Sequence, residues 1–397
     1  MSLLLLKHET AEAAHSPELR YLAACCRVEA QRVFGEVREQ RWRPGLPALR
    51  ITVSGPVLVF GATNVFLGRR SLRAMRHALE AGGEVVVPTR LGELEIPETD
   101  RPHTLRGFER LERRLLETEP PAVDRCTSHL PVALLSRRLV ESLPPGSLVE
   151  TLLTDGELLE RLEPGTEIVR AGICHEFIDY YGEAREDILE LLPPGVRTVL
   201  EIGCGRGATG RLLEQRLGCR VTGVELNPAV ARDAARHLSR VIVGDVRSLE
   251  LEDGYDAVVA TELLEHLDEP EPFLLKMRSL LRPGGAIVLS VPNVGHHSIV
   301  EDLLAGRWDY LPIGLLCYTH LRFFTRATLV DWITRLGFSS FEIRAQSGSV
   351  PDRFRGLADR FEVDLESLRT TGFYVVLRAD GGEERRSTAA VSPPGRR

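Results

Sequence analysis

The sequence predicts an α/β chain of two domains. Three observations carry that reading: short apolar strands alternate with amphipathic helices, a glycine-rich turn joins a strand to a helix near the middle, and 397 residues exceed one ordinary compact domain. An apolar fraction of 43% is enough for real cores. The formal net charge of -7 provides no overall basic field, so nucleic acid is not expected as a partner. Seven cysteines, scattered and without C-x-x-C spacing, argue against a disulfide framework or a zinc site and fit a reducing cytoplasm. Residues 1–7 are apolar but too short for a span or a signal segment, so a cytoplasmic protein without a membrane partner is expected.

In chain order, residues 17–42 read as a helix, with Leu19, Leu22, Ala23, Val33 and Val37 among arginines and glutamates until Pro44 and Pro47 break it. Apolar runs follow at 49–53 and 56–60, then a helix over 70–81 ended by Gly82 and Gly83, then a strand at 84–88. Residues 104–117 place Leu105, Phe108, Leu111, Leu115 and Leu116 on one helical face. A strand at 131–135 and a capped helix at 136–143 precede Pro144, Pro145 and Gly146. A helix is expected over 153–162. The expected division is an N-terminal α/β domain over 1–165, a larger domain over 172–380, and a disordered tail over 381–397, where Gly, Glu, Arg, Ser and Pro dominate.

The most informative stretch is 198–210. Val199, Leu200 and Ile202 make a strand, and Gly203, Gly205 and Gly207 let the backbone turn and approach a ligand before a helix continues from Arg211. Gly203, Gly205 and Ala208 also fit a dinucleotide loop. Glu201 decides between cofactors: a carboxylate beside the loop repels a pyrophosphate and suits a cationic ligand. S-adenosylmethionine (SAM), with a sulfonium, an ammonium and no phosphate, is therefore favoured over NAD.

Residues 201–207 resemble the glycine-rich motif of class I SAM-dependent methyltransferases, and the segments downstream follow in that family's order. A second strand at 220–226 ends in Glu225, placed for the ribose hydroxyls; Asp245 follows a third strand, where the family keeps an acid near the adenine amino group. The fourth strand covers 255–261 and the fifth ends at Ser290. The resemblance implies a Rossmann-like sheet of seven strands, with 341–344 and 372–378 as an antiparallel edge pair. It implies a cofactor set of Glu201, Gly203, Cys204, Gly205, Gly207, Glu225, Leu226, Asp245, Val246 and Glu262, covered by a segment that includes Tyr180 and Tyr181.

Three further stretches, 291–298, 306–310 and 318–325, concentrate His, Arg, Trp and Tyr in no core pattern. They resemble a methyltransferase subgroup found with polysaccharide-building enzymes, except that Cys317 stands where many relatives carry an aspartate. That resemblance implies a small polar acceptor such as a sugar or glycan intermediate, bound by Tyr181, His296, His297, Trp308, Tyr318 and Arg322. Removal of a hydroxyl proton assigns His266 and His320 as catalytic bases, with His296 and His297 behind them. Alternation over 320–323 predicts His320 and Arg322 on one side, or a local Arg322–Asp309 ion pair. Glu262, Glu265 and His266 resemble the segment linked to a divalent metal in ubiquinone-pathway O-methyltransferases. The same spacing serves a solvated helix face, which is the expectation, and no metal is assigned. Two alternatives to a sugar O-methyltransferase stand beside it: a phenolic O-methyltransferase, and a SAM-binding scaffold without catalysis.

Residues 49–145 resemble an A-type glycosyltransferase fold. The strand 57–60 is followed by Gly61-Ala-Thr-Asn64 in place of the metal-binding Asp-x-Asp, so a non-catalytic or dimerising domain is expected, with a homodimer as its assembly.

Overall fold

The structure, a computed structural model, describes residues 2–8, 10–42, 53–94, 96, 102–118, 120, 131–143, 162–176, 181–358, 362 and 364–379. The chain divides into residues 1–179 with 305–319, and residues 180–304 with 320–397. Each unit is built on its own seven-stranded sheet.

In the first unit the strands are β1 (Leu3–His8), β2 (Val37–Trp42), β3 (Val57–Phe60), β4 (Val65–Leu67), β5 (Val85–Arg90), β6 (Val132–Leu135) and β7 (Ile168–Glu176), in the order β2-β1-β3-β6-β5-β7-β4. β1 lies between β2 and β3 and is parallel to both, whereas β6 is antiparallel to β3 and β5. Successive residues of β3 enter different clusters, Leu58 and Phe60 one, Val57 and Val59 the other, because strand side chains alternate between faces. The sheet is therefore buried on both sides. The expected helices appear as Arg69–Glu80, Leu105–Leu115 and Arg137–Ser142.

Two expectations are corrected here. The helix read over 17–42 stops at Phe34, where Gly35 takes φ 83, and 37–42 form the edge strand β2. Its charged residues imitate a solvated helix face because an edge strand also faces water on one side. The boundary placed between 165 and 172 falls on β7, which pairs with β5 and β4 and so belongs to the first sheet. Residues 305–319 also group with the first unit. There Tyr318 stacks on Tyr21 at 4.2 Å, and Thr319 Oγ1 donates to Glu18 Oε1 at 3.1 Å. The runs at 49–52 and 153–161, Tyr180 and the tail from 381 lie outside the described residues.

The second unit contains β8 (Thr198–Ile202), β9 (Arg220–Glu225), β10 (Arg240–Val243), β11 (Tyr255–Thr261), β12 (Leu281–Pro292), β13 (Phe341–Ser347) and β14 (Thr370–Arg378), ordered β10-β9-β8-β11-β12-β14-β13. This is the Rossmann-like α/β arrangement expected. β14 runs antiparallel to β12 and β13, which gives the antiparallel edge pair. The interior of β11 divides between two clusters, Val258 and Ala260 against Ala257 and Val259, as a strand covered on both faces requires. The chain winds from β8 outward to β9 and β10, then returns to β11 on the other side. That reversal opens a crevice at the carboxyl ends of β8 and β11, where sheets of this kind take ligands. No described helix is long and apolar enough to cross a membrane.

Candidate active site

β8 runs into a loop whose three glycines all take positive φ, 72 at Gly203, 56 at Gly205 and 80 at Gly207. Gly205 is the most constrained. A Cβ there would sit 2.5 Å from the Tyr181 carbonyl oxygen, which accepts the Arg206 N–H at 2.8 Å. The backbone at Tyr181 thus lies across the loop, as expected of the covering segment. From the end of β9, Glu225 reaches the same loop and accepts N–H bonds from Gly205 at 3.0 Å and Asn227 at 2.8 Å. Burial raises its pKa against the pull of those bonds. Leu226 beside it is 68% exposed, an apolar surface next to an acid. Asp245 is held by Arg247 at 2.7 Å, and that hydrogen-bonded guanidinium keeps its carboxyl below the ordinary range.

Glu201, expected at the cofactor, lies beneath the loop. Its side chain is buried against Gly210 at the start of the helix Ala208–Leu217, and burial pushes its pKa up to about 8. By itself, burial favours its neutral form at neutral pH, and a cation bound beside the loop would favour the carboxylate. The side chains of Cys204 and Val246, expected at the cofactor, pack into the two apolar clusters of the second sheet instead.

After β11 the chain turns sharply. Glu262 takes φ 50, a strained conformation for a residue with a side chain. Ser290, from β12, locks it: the Glu262 N–H donates to Ser290 Oγ at 3.0 Å, and that hydroxyl donates to Glu262 Oε1 at 2.6 Å. A short 3-10 turn, Leu264–His266, follows. The Glu265 carbonyl accepts N–H bonds from Leu321 at 2.6 Å and Arg322 at 3.1 Å, which pins the segment after His320 to this turn. As a result the His266 and His320 rings meet edge to face at 4.8 Å. Donor atoms of Glu265, His266 and His320 lie within 4.8 Å of one another.

The structure therefore brings both expected bases together, and it overturns the solvated reading of Glu265. That side chain is fully buried, and neither carboxylate oxygen has a hydrogen-bond partner among the described residues. Burial first, and then the charge of Glu262, hold its pKa well above the carboxylate range. One carboxylate and two imidazoles are a donor set that suits a divalent cation.

His296 and His297 are buried; His296 Nδ1 is 2.8 Å from Ser298 Oγ, and the His297 ring packs on Phe354. Trp308 and Tyr318 lie in the segment that groups with the first unit. His320 is buried whereas Arg322 is exposed and donates to the Asp268 carbonyl, so the two do not share a side. Asp309 pairs with Arg307 at 2.6 Å, not with Arg322. Sequence reasoning missed Ser290 and Arg185. Ser290 was visible as the hydroxyl ending an otherwise apolar strand. Arg185 is a largely buried cation whose pKa is raised, against burial, by Glu262 and Tyr374, and no motif marks it.

Residues 175–342 match a family model described as a methyltransferase domain. Over 187 residues the chain is 30% identical to the ubiquinone biosynthesis O-methyltransferase of Xanthomonas axonopodis pv. citri, covering 44% of this chain and 75% of that protein. It is 32% identical over 108 residues to the 2-methyl-6-phytyl-1,4-hydroquinone methyltransferase of Synechocystis sp., covering 26% of this chain and 34% of that one. Among solved structures, a SAM-dependent methyltransferase from Archaeoglobus fulgidus aligns with 20% identity and a TM-score of 0.37, covering 48% of this chain and 90% of that one.

Proposed function

The chain belongs to the SAM-dependent methyltransferases, and from that premise we propose that it methylates a hydroxyl oxygen of a small polar acceptor, a sugar or glycan intermediate. SAM is its cofactor, and the second unit fits it. The glycine loop under Tyr181 leaves backbone for the methionine end, buried Glu225 faces the position of a ribose, and exposed Leu226 offers an apolar face to an adenine.

The observation that carries the proposal is the meeting of His266 and His320 beside Glu265 at the carboxyl end of β11. In methyl transfer the acceptor oxygen forms its bond to the methyl carbon as the carbon–sulfur bond breaks, and the hydroxyl proton must leave. An imidazole in hydrogen-bond reach of that hydroxyl accepts the proton, and the second imidazole beside it offers an onward path. Ser290 and the strained turn at Glu262 fix the position of this group before the acceptor arrives. Glu265, His266 and His320 are also the residues that would hold a divalent cation, whose effect would be to make the acceptor hydroxyl easier to deprotonate. The first unit is read as a non-catalytic domain through which the protein dimerises.

A second reading, a phenolic hydroxyl as acceptor, is favoured by the names of the relatives and by the burial of Glu265 in the Glu-x-x-Glu-His segment. Labelled SAM offered with free sugars, nucleotide sugars, glycan fragments and phenolic acids separates the two. Label in the sugar or glycan fraction supports the first reading; label confined to the phenolics replaces it with the second.

A further inference from the structure

We propose that Lys276 is a positioning residue for the cofactor: its ammonium holds the turn after β10 where Asp245 can accept the adenine amino group. The proposal rests on the reading of the second unit as the SAM site. The strands there lie in the order β10-β9-β8. A SAM molecule with its methionine end on the loop after β8 and its ribose at Glu225, which ends β9, therefore points its base towards the end of β10. The turn at that end, 244–249, offers the Asp245 carboxylate. A carboxylate has about four acceptor sites. Three Arg247 N–H groups approach this one, from the backbone at 2.9 Å, Nε at 3.0 Å and Nη2 at 2.7 Å, which leaves a site for one further donor.

Composition singles out Lys276. Among 50 lysines and arginines, lysine stands at two positions only, 7 and 276. In a chain that otherwise uses arginine, lysine at 276 has a geometric reason. Its ammonium donates to the carbonyls of Val246 at 2.7 Å, Leu249 at 2.6 Å and Arg247 at 3.4 Å. Three N–H groups spread from one nitrogen can meet three carbonyls that converge from one turn, whereas the planar fork of a guanidinium cannot. The other ties of the turn are local or weaker. Ser248 and Leu249 donate back to the Asp245 carbonyl at 3.0 and 3.1 Å, and Gly244 donates to the Glu225 carbonyl at 3.0 Å, at one end of the turn. Arg247 reaches Asp268 at 2.9 Å in an exposed pair, which contributes little. The helix Pro270–Ser279 gives Lys276 a fixed base, because its Phe273, Leu274 and Met277 share an apolar cluster with Val246. After Arg247, the charge of Lys276 also helps to hold the Asp245 carboxyl below the ordinary range.

Calorimetric titration of the full chain with S-adenosylhomocysteine and with S-inosylhomocysteine, in which an oxygen replaces the amino group, tests this. Wild type is expected to prefer the adenosyl ligand about tenfold or more. Lys276→Met is expected to reduce that preference to about twofold or less, with the inosyl ligand bound within about threefold of its wild-type affinity. Lys276→Arg keeps the charge and is expected to lose the preference as well, so it carries the test where Lys276→Met does not fold. A thermal midpoint within about 3 °C of wild type marks a folded variant. The proposal is overturned by an unchanged preference in either folded variant. It is equally overturned by parallel weakening of both ligands, or by loss of folding in both variants, each of which assigns Lys276 to stability alone. A wild type that binds both ligands equally removes Asp245 from the adenine, and the proposal with it, while leaving the SAM site in place.

Discussion

Gly205→Ala probes the point where the loop, the covering segment and the acid of β9 meet. The new Cβ would lie 2.5 Å from the Tyr181 carbonyl oxygen and 3.2 Å from its carbon, so one backbone must move by about 0.9 Å to reach ordinary contact at 3.4 Å. That movement strains two bonds, Arg206 N–H to the Tyr181 oxygen at 2.8 Å and Gly205 N–H to Glu225 at 3.0 Å. The left-handed conformation at φ 56 costs a side chain about 1 kcal/mol. A neutral hydrogen bond contributes about 1 kcal/mol and one to a carboxylate about 1.5–3 kcal/mol. The total of roughly 3–5 kcal/mol is an upper bound on the SAM affinity lost, reached when the SAM-free loop relaxes fully, and a loss of at least about tenfold is expected. Gly218→Ala is the matched control. Gly218 takes φ 65 at the end of the helix that starts from the loop, with nothing within 4 Å of its Cβ position. It is expected to cost about 1 kcal/mol of stability and leave SAM affinity unchanged. Calorimetric titration of both with SAM decides the matter, and wild-type affinity in Gly205→Ala refutes the close approach of Tyr181 to the loop.

Three other outcomes are expected. Glu225→Ala weakens SAM roughly ten- to a hundredfold, because charge-assisted bonds worth about 1.5–3 kcal/mol are lost; an unaltered titration removes Glu225 from the site. Glu201, raised from 4.5 to about 8 in the fold, keeps its proton where the unfolded chain has released it, so its contribution to stability is full below pH about 4.5 and is lost as pH rises through about 8. Thermal melts across that window should show Glu201→Gln gaining on wild type as pH rises, and parallel curves would mean that Glu201 is not held neutral. His266→Ala and His320→Ala should each lower kcat by a factor on the order of 10²–10⁴ with SAM affinity within about threefold, read from steady-state rates beside titrations.

The second sheet was legible because its central strands β8 and β11 are short apolar runs buried on both faces and its turns fall on glycines that must adopt positive φ, as at Gly203 and Gly207. Glu225 was legible from its place at a strand end. Other features depend on long-range burial that a local pattern does not encode. Glu201 and Glu265 read as charges, yet both are buried and have raised pKa values. His296 and His297 read as ligand groups because nothing local distinguishes a core histidine from an exposed one. The pairing of His266 with His320 comes from the Glu265 carbonyl, a backbone acceptor 56 residues upstream of Leu321, whose partners no sequence motif reveals. In the first unit, the polar strand β2 was lost to the helix before it because only Gly35 marks the break.

The proposed methyl transfer to oxygen rests on the His266–His320 pair. The most direct measurement is transfer of labelled methyl from SAM to the acceptor panel by wild type and by the His266→Ala/His320→Ala double variant, with SAM binding titrated in both. Wild type is expected to give an oxygen-linked methyl product, lost to background in a double variant that still binds SAM. Transfer at the wild-type rate by the double variant, or no transfer to any hydroxyl acceptor by a wild-type protein saturated with SAM, would contradict it.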